Sequence, residues 1–264
     1  MISIILNGYK RLEFLNKQIQ SIKKQTTPIN EILVWQNHSE DQNISTIKLD
    51  KDVIHIKSSH NHGVWARFTA ALNCKSEYIC VFDDDTIPGE NWIKNCIETI
   101  EKKNGLIGTR GVRFASKEEY IVGEEFGWNN PNNEIKEVDI VGHSWFFRRD
   151  WLSYFWRELP KINSSFYVGE DIHFSYILQK YLKLNTYVPP HPHNDKSLWG
   201  SDYNSAMKIG TDSNAISFND LRKKEMDSSL KYYISKGFEL KYVDQLKYKK
   251  IFLKTKKEIK KLFE

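Results

Sequence analysis

Apolar positions along this chain follow two rhythms that alternate. Ser3-Ile4-Ile5-Leu6 is a continuous apolar run, the pattern of a buried strand. From Arg11 to Lys24, Leu12, Leu15, Ile19 and Ile22 fall on one face of a helix. Strand patterns return at Glu31 to Trp35 and at Val53-Ile54-His55-Ile56, an alanine-containing helix is predicted from Gly63 to Asn73, and Glu77 to Phe82 reads as a fourth strand. The resulting β-α-β-α-β-α-β order predicts an α/β fold: a mainly parallel central sheet wound with helices on both faces, binding ligands beyond the carboxyl ends of its strands. Asn7, Gln36 and Asp83 fall at such ends.

After a helix predicted at about Glu90 to Lys103 the pattern becomes irregular, punctuated by Gly105, Gly108, Gly111, Gly123 and Gly127 and by the loop Asn129-Asn130-Pro131-Asn132-Asn133. Val138 to Phe147 reads as a strand pair or bend, Asp150 to Arg157 as a short helix, Glu170 to Tyr181 as a helix and Leu184 to Val188 as a strand. Helical spacing returns from Ser213.

At 264 residues, 40% of them apolar, the chain can bury one large core. No apolar run reaches the roughly 18 residues of a membrane span, and the strand pattern begins at once, without the marks of a signal peptide, so a cytoplasmic protein is expected. Cys74, Cys80 and Cys96 form no CxxC pair and read as buried free thiols rather than as a disulfide or zinc framework. The net charge of +5 is local: Leu246 to Glu264 holds eight Lys and two Glu, leaving the remainder near −1. A nucleic-acid binder spreads its basic surface across the fold, so that class is disfavoured. Ile251, Phe252, Leu253, Ile259, Leu262 and Phe263 recur between the lysines as in a basic amphipathic helix over 246–264, suited to peripheral contact with an anionic membrane; a solvated helix packing one apolar edge on the domain is the alternative.

Asp83, Asp84 and Asp85 follow directly on the apolar run Tyr78-Ile79-Cys80-Val81-Phe82. Three adjacent carboxylates are stable only at a strand end facing water or a cation. Hard oxygen ligands suit Mn²⁺ or Mg²⁺, ions that complete their shell with substrate phosphates, which suggests a nucleoside-diphosphate substrate. An acidic turn capping the helix that begins near Glu90 is the other reading.

Asn7-Gly8-Tyr9-Lys10-Arg11, Val34-Trp35-Gln36-Asn37, Asn61-His62-Gly63 with Arg67, and Phe82-Asp83-Asp84-Asp85 together resemble a glycosyltransferase with the GT-A fold. The glycine turn, alanine-rich helix and aspartate triplet resemble family 2; Val-Trp-Gln-Asn and Asp-Asp-Asp-Thr also resemble the exostosin-like transferases of family 64. The resemblance covers about Ser3 to Asn219 and implies a single catalytic domain over 1–245, with a nucleotide-binding half at 1–103 and an acceptor-side half at 104–219. It implies a metal-dependent hexosyl- or N-acetylhexosaminyltransferase that takes a nucleotide-sugar donor, read as a UDP-sugar, to a saccharide or lipid-linked glycan acceptor in surface-polysaccharide synthesis.

On that resemblance Asp83 contacts the donor ribose or the metal, Asp85 coordinates the metal, and Asp84 borders the nucleotide or only shapes the turn. Asn7, Tyr9 and Arg11 wall the base, Gln36 and Asn37 hydrogen-bond it, and Arg67 pairs with a phosphate. Gly169-Glu170-Asp171 resembles the second acidic motif: Asp171 is the candidate general base in an inverting enzyme and orients the acceptor or stabilises the positively charged sugar in a retaining one, with Glu170 next in line for either role; two acids complementing the helix dipole in the first turn are the alternative. His193, and after it His191, is the candidate histidine ligand. Trp145 is the candidate acceptor platform, with a core aromatic strand as the alternative, and Trp199-Gly200-Ser201-Asp202 with Gly210-Thr211-Asp212 is a candidate lid. Two other classes stay open: a nucleotidyltransferase, which lacks its glycine-rich phosphate loop with lysine here, and a non-catalytic carbohydrate-binding module.

Overall fold

The computed structural model describes residues 1–10, 12–40, 48–158, 166–202, 204, 206–207 and 220–243. Arg11, the Gly210–Asp212 part of the expected lid and the basic segment 246–264 lie outside the described residues. So does the stretch from Ser213 up to the last helix.

The β-branched and leucine runs form strands β1 (Ile2–Gly8), β2 (Glu31–Gln36), β3 (Val53–Lys57) and β4 (Tyr78–Phe82), and all three pairings among them are parallel. β1 lies between β2 and β4 and is buried along almost its whole length, which is why it reads as a continuous apolar run rather than an alternating one. Register aligns Gly8 with Gln36 and Leu6 with Phe82, so the carboxyl ends of the three strands form one edge. The first helical pattern becomes a short 3₁₀ turn at Leu12–Phe14 followed by α1 (Leu15–Lys23), which buries Leu15, Gln18, Ile19 and Ile22. The second becomes a 3₁₀ turn at Gly63–Trp65 and α2 (Ala66–Ala71), packed on β1, β2 and β4. α3 (Trp92–Lys102) packs on β5.

The half read as irregular is largely sheet. β5 (Gly105–Phe114) and β8 (Ile140–Arg148) are its longest strands, and β6 (Val122–Gly127), β7 (Lys136–Val138) and β9 (Asn185–Val188) complete the order β3-β2-β1-β4-β8-β5-β9-β7, with β6 on β5. Every antiparallel pair involves a strand after residue 104. Gly105, Gly108, Gly111 and Gly127, which suggested loops, are packing positions: a Cβ at Gly111 would lie 2.3 Å from Val188 Cγ2. α4 (Leu152–Phe155), α5 (Glu170–Leu182) and α6 (Asp220–Ser235) follow.

One apolar cluster fills the sheet, with Phe68, Phe147, Phe155 and Phe174 meeting ring to ring. A second joins Ile172, Tyr176 and Ile177 of α5 to Leu230 and Tyr233 of α6. All three cysteines are buried and free. Among the described residues, no helix is long and apolar enough to cross a membrane.

Candidate active site

The aspartate triplet sits where β4 leaves the sheet, in a turn held from below. Buried Gln18 donates from Nε2 to the Asp83 and Thr86 carbonyls, each at 2.7 Å, and Asn7 donates to the Phe82 carbonyl at 2.7 Å. β8 pairs antiparallel with β4, opposing Ser144 to Phe82, so His143 comes beside Asp83: its carbonyl accepts from the Asp83 N–H at 2.9 Å and from the Thr86 hydroxyl at 3.0 Å. Asp83, Asp85 and His143 each offer a ligand atom, all within 4.8 Å of one another. His143 Nδ1 is buried, has no hydrogen-bond partner among the described residues, and lies 3.8 Å from Asp85 Oδ1. Two carboxylates and an imidazole whose Nδ1 has no hydrogen-bond partner among the described residues fit Mn²⁺ or Mg²⁺ in donor type and spacing.

The second acidic motif faces the first across Arg67. Gly169, at φ 89°, starts α5 and fits closely against α6, where a Cβ would meet Ser229 Oγ at 2.3 Å. Glu170 and Asp171 occupy the first turn of the helix. Arg67, 6% exposed, pairs with Asp83 and reaches Glu170 at 3.2 Å; its Nε donates to the Val64 carbonyl and its guanidinium lies 4.7 Å from the Trp145 ring. Burial raises the Glu170 carboxyl, opposed by Arg67, and burial also raises that of Asp171. Because Glu170 is buried and tied to Arg67 while Asp171 is half-buried, Asp171 is the more accessible carboxylate.

Trp128, Arg110 and Glu125 stand beside His143. The β5–β6 register sets Gly127 opposite Arg110, and the β5–β8 register sets Gly142 on its other side. Trp128 stacks on His143 with ring centroids 4.6 Å apart, and Arg110 holds Glu125 at 2.8 Å. Trp128 and His143 adopt φ of 42° and 63°, a left-handed conformation that costs bulky side chains about 1–3 kcal/mol each. The sequence reading missed both residues. The one local signal was the irregular β5 spacing, since the β-sheet register that joins them is not local.

Arg67 is an internal ion-pair partner of Asp83 and Glu170. Asn37 spends its side chain on the protein: Oδ1 accepts from Trp35 Nε1 and the His62 N–H, and Nδ2 donates to the Gly63 carbonyl. Gln36 is buried at the edge with Oε1 on His55, while Tyr9 is half-buried beside it in the β1 turn. Trp145 is 2% exposed, edge-on to Phe68 in the core, because register turns it inward. His193 is exposed in the turn after Pro192, outside the Asp83–Asp85–His143 group; buried His191 binds the Pro189 carbonyl and the Gly200 N–H, and burial lowers it to about 4. Trp199, Gly200 and Ser201 are buried wall, with Trp199 Nε1 on the Pro192 carbonyl, rather than a surface lid.

The family described as "Glycosyl transferase family 2" matches residues 3–160. An uncharacterised glycosyltransferase of Haemophilus influenzae is 28% identical over 151 residues, covering 52% of this chain and 47% of that protein; the chain thus spans about half the length of the curated relative it matches. TarS from S. aureus, solved in complex with UDP, has a TM-score of 0.51 at 18% identity, over 72% of this chain and 57% of that one. A longer TarS structure has a TM-score of 0.51 at 18% identity, over 88% of this chain and 42% of the other. The TarS likeness is one of fold. With the acid triplet at a parallel-sheet edge and a family match over more than half its length, this chain belongs to glycosyl transferase family 2.

Proposed function

We propose that this chain is a metal-dependent transferase moving a hexose or N-acetylhexosamine from a nucleoside diphosphate, first of all a UDP-sugar, to a saccharide acceptor, including a lipid-linked glycan, in surface-polysaccharide synthesis. The observation that carries the reading is the Asp83–Asp85–His143 donor set at the carboxyl edge of the sheet, with Glu170 reached through Arg67 and Asp171 next to it in the same helical turn. A divalent cation on those three residues would neutralise charge building on the departing diphosphate, worth several kcal/mol.

The chain's own groups supply the rest. Asp171 takes the acceptor hydroxyl proton, the acceptor oxygen bonds to the anomeric carbon, and the bond from that carbon to the diphosphate oxygen breaks, leaving its electron pair on the diphosphate. Arg67 holds Asp83 and Glu170 in place during this exchange. Asn7 fixes the strand end, Tyr9 walls the base, and Gln36 Nε2, with no hydrogen-bond partner among the described residues, is the donor on offer to it. Asp84 borders the nucleotide from within the triplet.

Thermal unfolding against UDP, GDP, ADP and CMP, with and without Mn²⁺, tests the reading. UDP leads the panel because TarS was solved with UDP. One nucleotide should shift unfolding only with metal, by about 2.7 kcal/mol at a hundred times its dissociation constant. Asp85→Ala should remove the shift and at least about a hundredfold of transfer rate, the equivalent of roughly 3 kcal/mol, with the fold kept. No shift with any nucleotide overturns the reading.

A further inference from the structure

Between the Asp85–His143 pair and the acceptor-side acids stand side chains to which the transfer chemistry assigns nothing: Trp128, Arg110 and Glu125. Trp128 lies against His143 at 30° to it, and the Arg110 guanidinium is 5.8 Å from the Trp128 ring. Arg110 Nη2 meets Glu125 Oε2 at 2.8 Å, while Arg110 Nε and Glu125 Oε1 have no hydrogen-bond partner among the described residues. Buried polar atoms are almost always satisfied, so two orphans on one ion pair mark a place where something else completes the set. Toward the acceptor side, Arg110 interacts electrostatically with Asp171, and the Tyr120 hydroxyl interacts with both.

An indole face and a planar ion pair are complementary to a pyranose. The ring's electron-rich face suits the sugar's apolar C–H face, and the fixed donors and acceptors of Arg110 and Glu125 suit neighbouring hydroxyls. Position assigns which sugar it is. The group lies next to the residues that would hold the diphosphate, where the sugar attached to that diphosphate must sit. Charge assigns its class. Arg110 is neutralised by Glu125, so its charge is not available to a sugar bearing its own carboxylate, and the Glu125 carboxylate would repel such a sugar at short range. Resting on the function proposed above, the geometry points to Trp128, Arg110 and Glu125 as the seat of the transferred sugar, and to a neutral pyranose as the sugar it takes.

The test titrates the full chain in Mn²⁺ with matched pairs, UDP with UDP-glucose and GDP with GDP-mannose, and compares transfer from UDP-glucose and UDP-glucuronate. Trp128→Ala should weaken the sugar nucleotide at least tenfold while changing the bare diphosphate less than twofold, and Trp128→Phe should restore binding to within threefold. Glu125→Gln, which keeps the shape, should raise the kcat/KM ratio for UDP-glucuronate over UDP-glucose at least tenfold. Equal weakening of diphosphate and sugar nucleotide by Trp128→Ala overturns the assignment, as does a rise confined to the acceptor KM or an unchanged ratio in Glu125→Gln. Wild-type binding of the bare diphosphates reads the proposed function separately, and if that fails the sugar seat falls with it.

Discussion

Arg67 and Glu170 stand 103 residues apart in the chain, yet their side chains meet at 3.2 Å, and the same guanidinium also holds Asp83. The ion pair ties the two acidic motifs into one unit. A buried charge stripped of its partner is expensive, so Arg67→Met should cost about 3–5 kcal/mol. At roughly 2–4 °C per kcal/mol for a domain of comparable size, the unfolding midpoint should fall by about 6–20 °C. The loss should shrink as pH falls through about 8, to which burial raises the Glu170 carboxyl. Above that pH, a change below about 1 kcal/mol would show that Arg67 does not carry this link.

Asp171 must be ionised to accept a proton, and burial holds its carboxyl above its ordinary range. The acid limb of kcat/KM should therefore lie above the ordinary aspartate value of about 4, with activity rising as pH rises through it. Asp171→Asn should lower kcat about 10²–10⁴-fold with little change in unfolding temperature. A profile already flat from pH 4 upward would remove Asp171 as the base.

Trp145 separates core from platform. Its ring lies edge-on to Phe68 at 5.8 Å and under Arg67, so Trp145→Ala should cost about 3–5 kcal/mol, whereas Trp145→Phe should keep most of the stability and the acceptor KM. A stable Trp145→Ala protein with a raised acceptor KM would return this residue to the acceptor site.

Asp139 gives a pH dependence of stability. Burial pushes its carboxyl up to about 6, although it accepts from the Phe114 and Lys241 N–H groups. With the folded value above the unfolded one, the folded state holds the proton more tightly between about pH 4 and 6. Stability from this group is therefore full below about 4 and is lost as pH rises through about 6, by roughly 3 kcal/mol at 1.36 kcal/mol per pH unit. Denaturant unfolding should show the difference between wild type and Asp139→Asn falling by that order from pH 4 to pH 7. A constant difference would mean that Asp139 is not held above its ordinary value.

Much of this was legible in the residues. Strand and helix periods are local, so Ser3–Leu6, Leu15–Ile22 and Tyr78–Phe82 announced their elements, and three adjacent carboxylates after an apolar run could only stand at a strand end. The β-α order then set Asn7, Gln36 and Asp83 on one edge. What the sequence withheld was long-range pairing. β5 looked irregular because its glycines make room for neighbouring strands, and the β5–β8 register shifts between Gly108 and Arg110. A one-residue change of register reverses the face of every side chain beyond it, so sequence could not tell that Trp145 enters the core while His143 and Trp128 reach the site. It could not pair Arg67 with Glu170 for the same reason: composition and periodicity speak for a few neighbouring residues, and the tertiary structure alone decides which distant charges share a buried space.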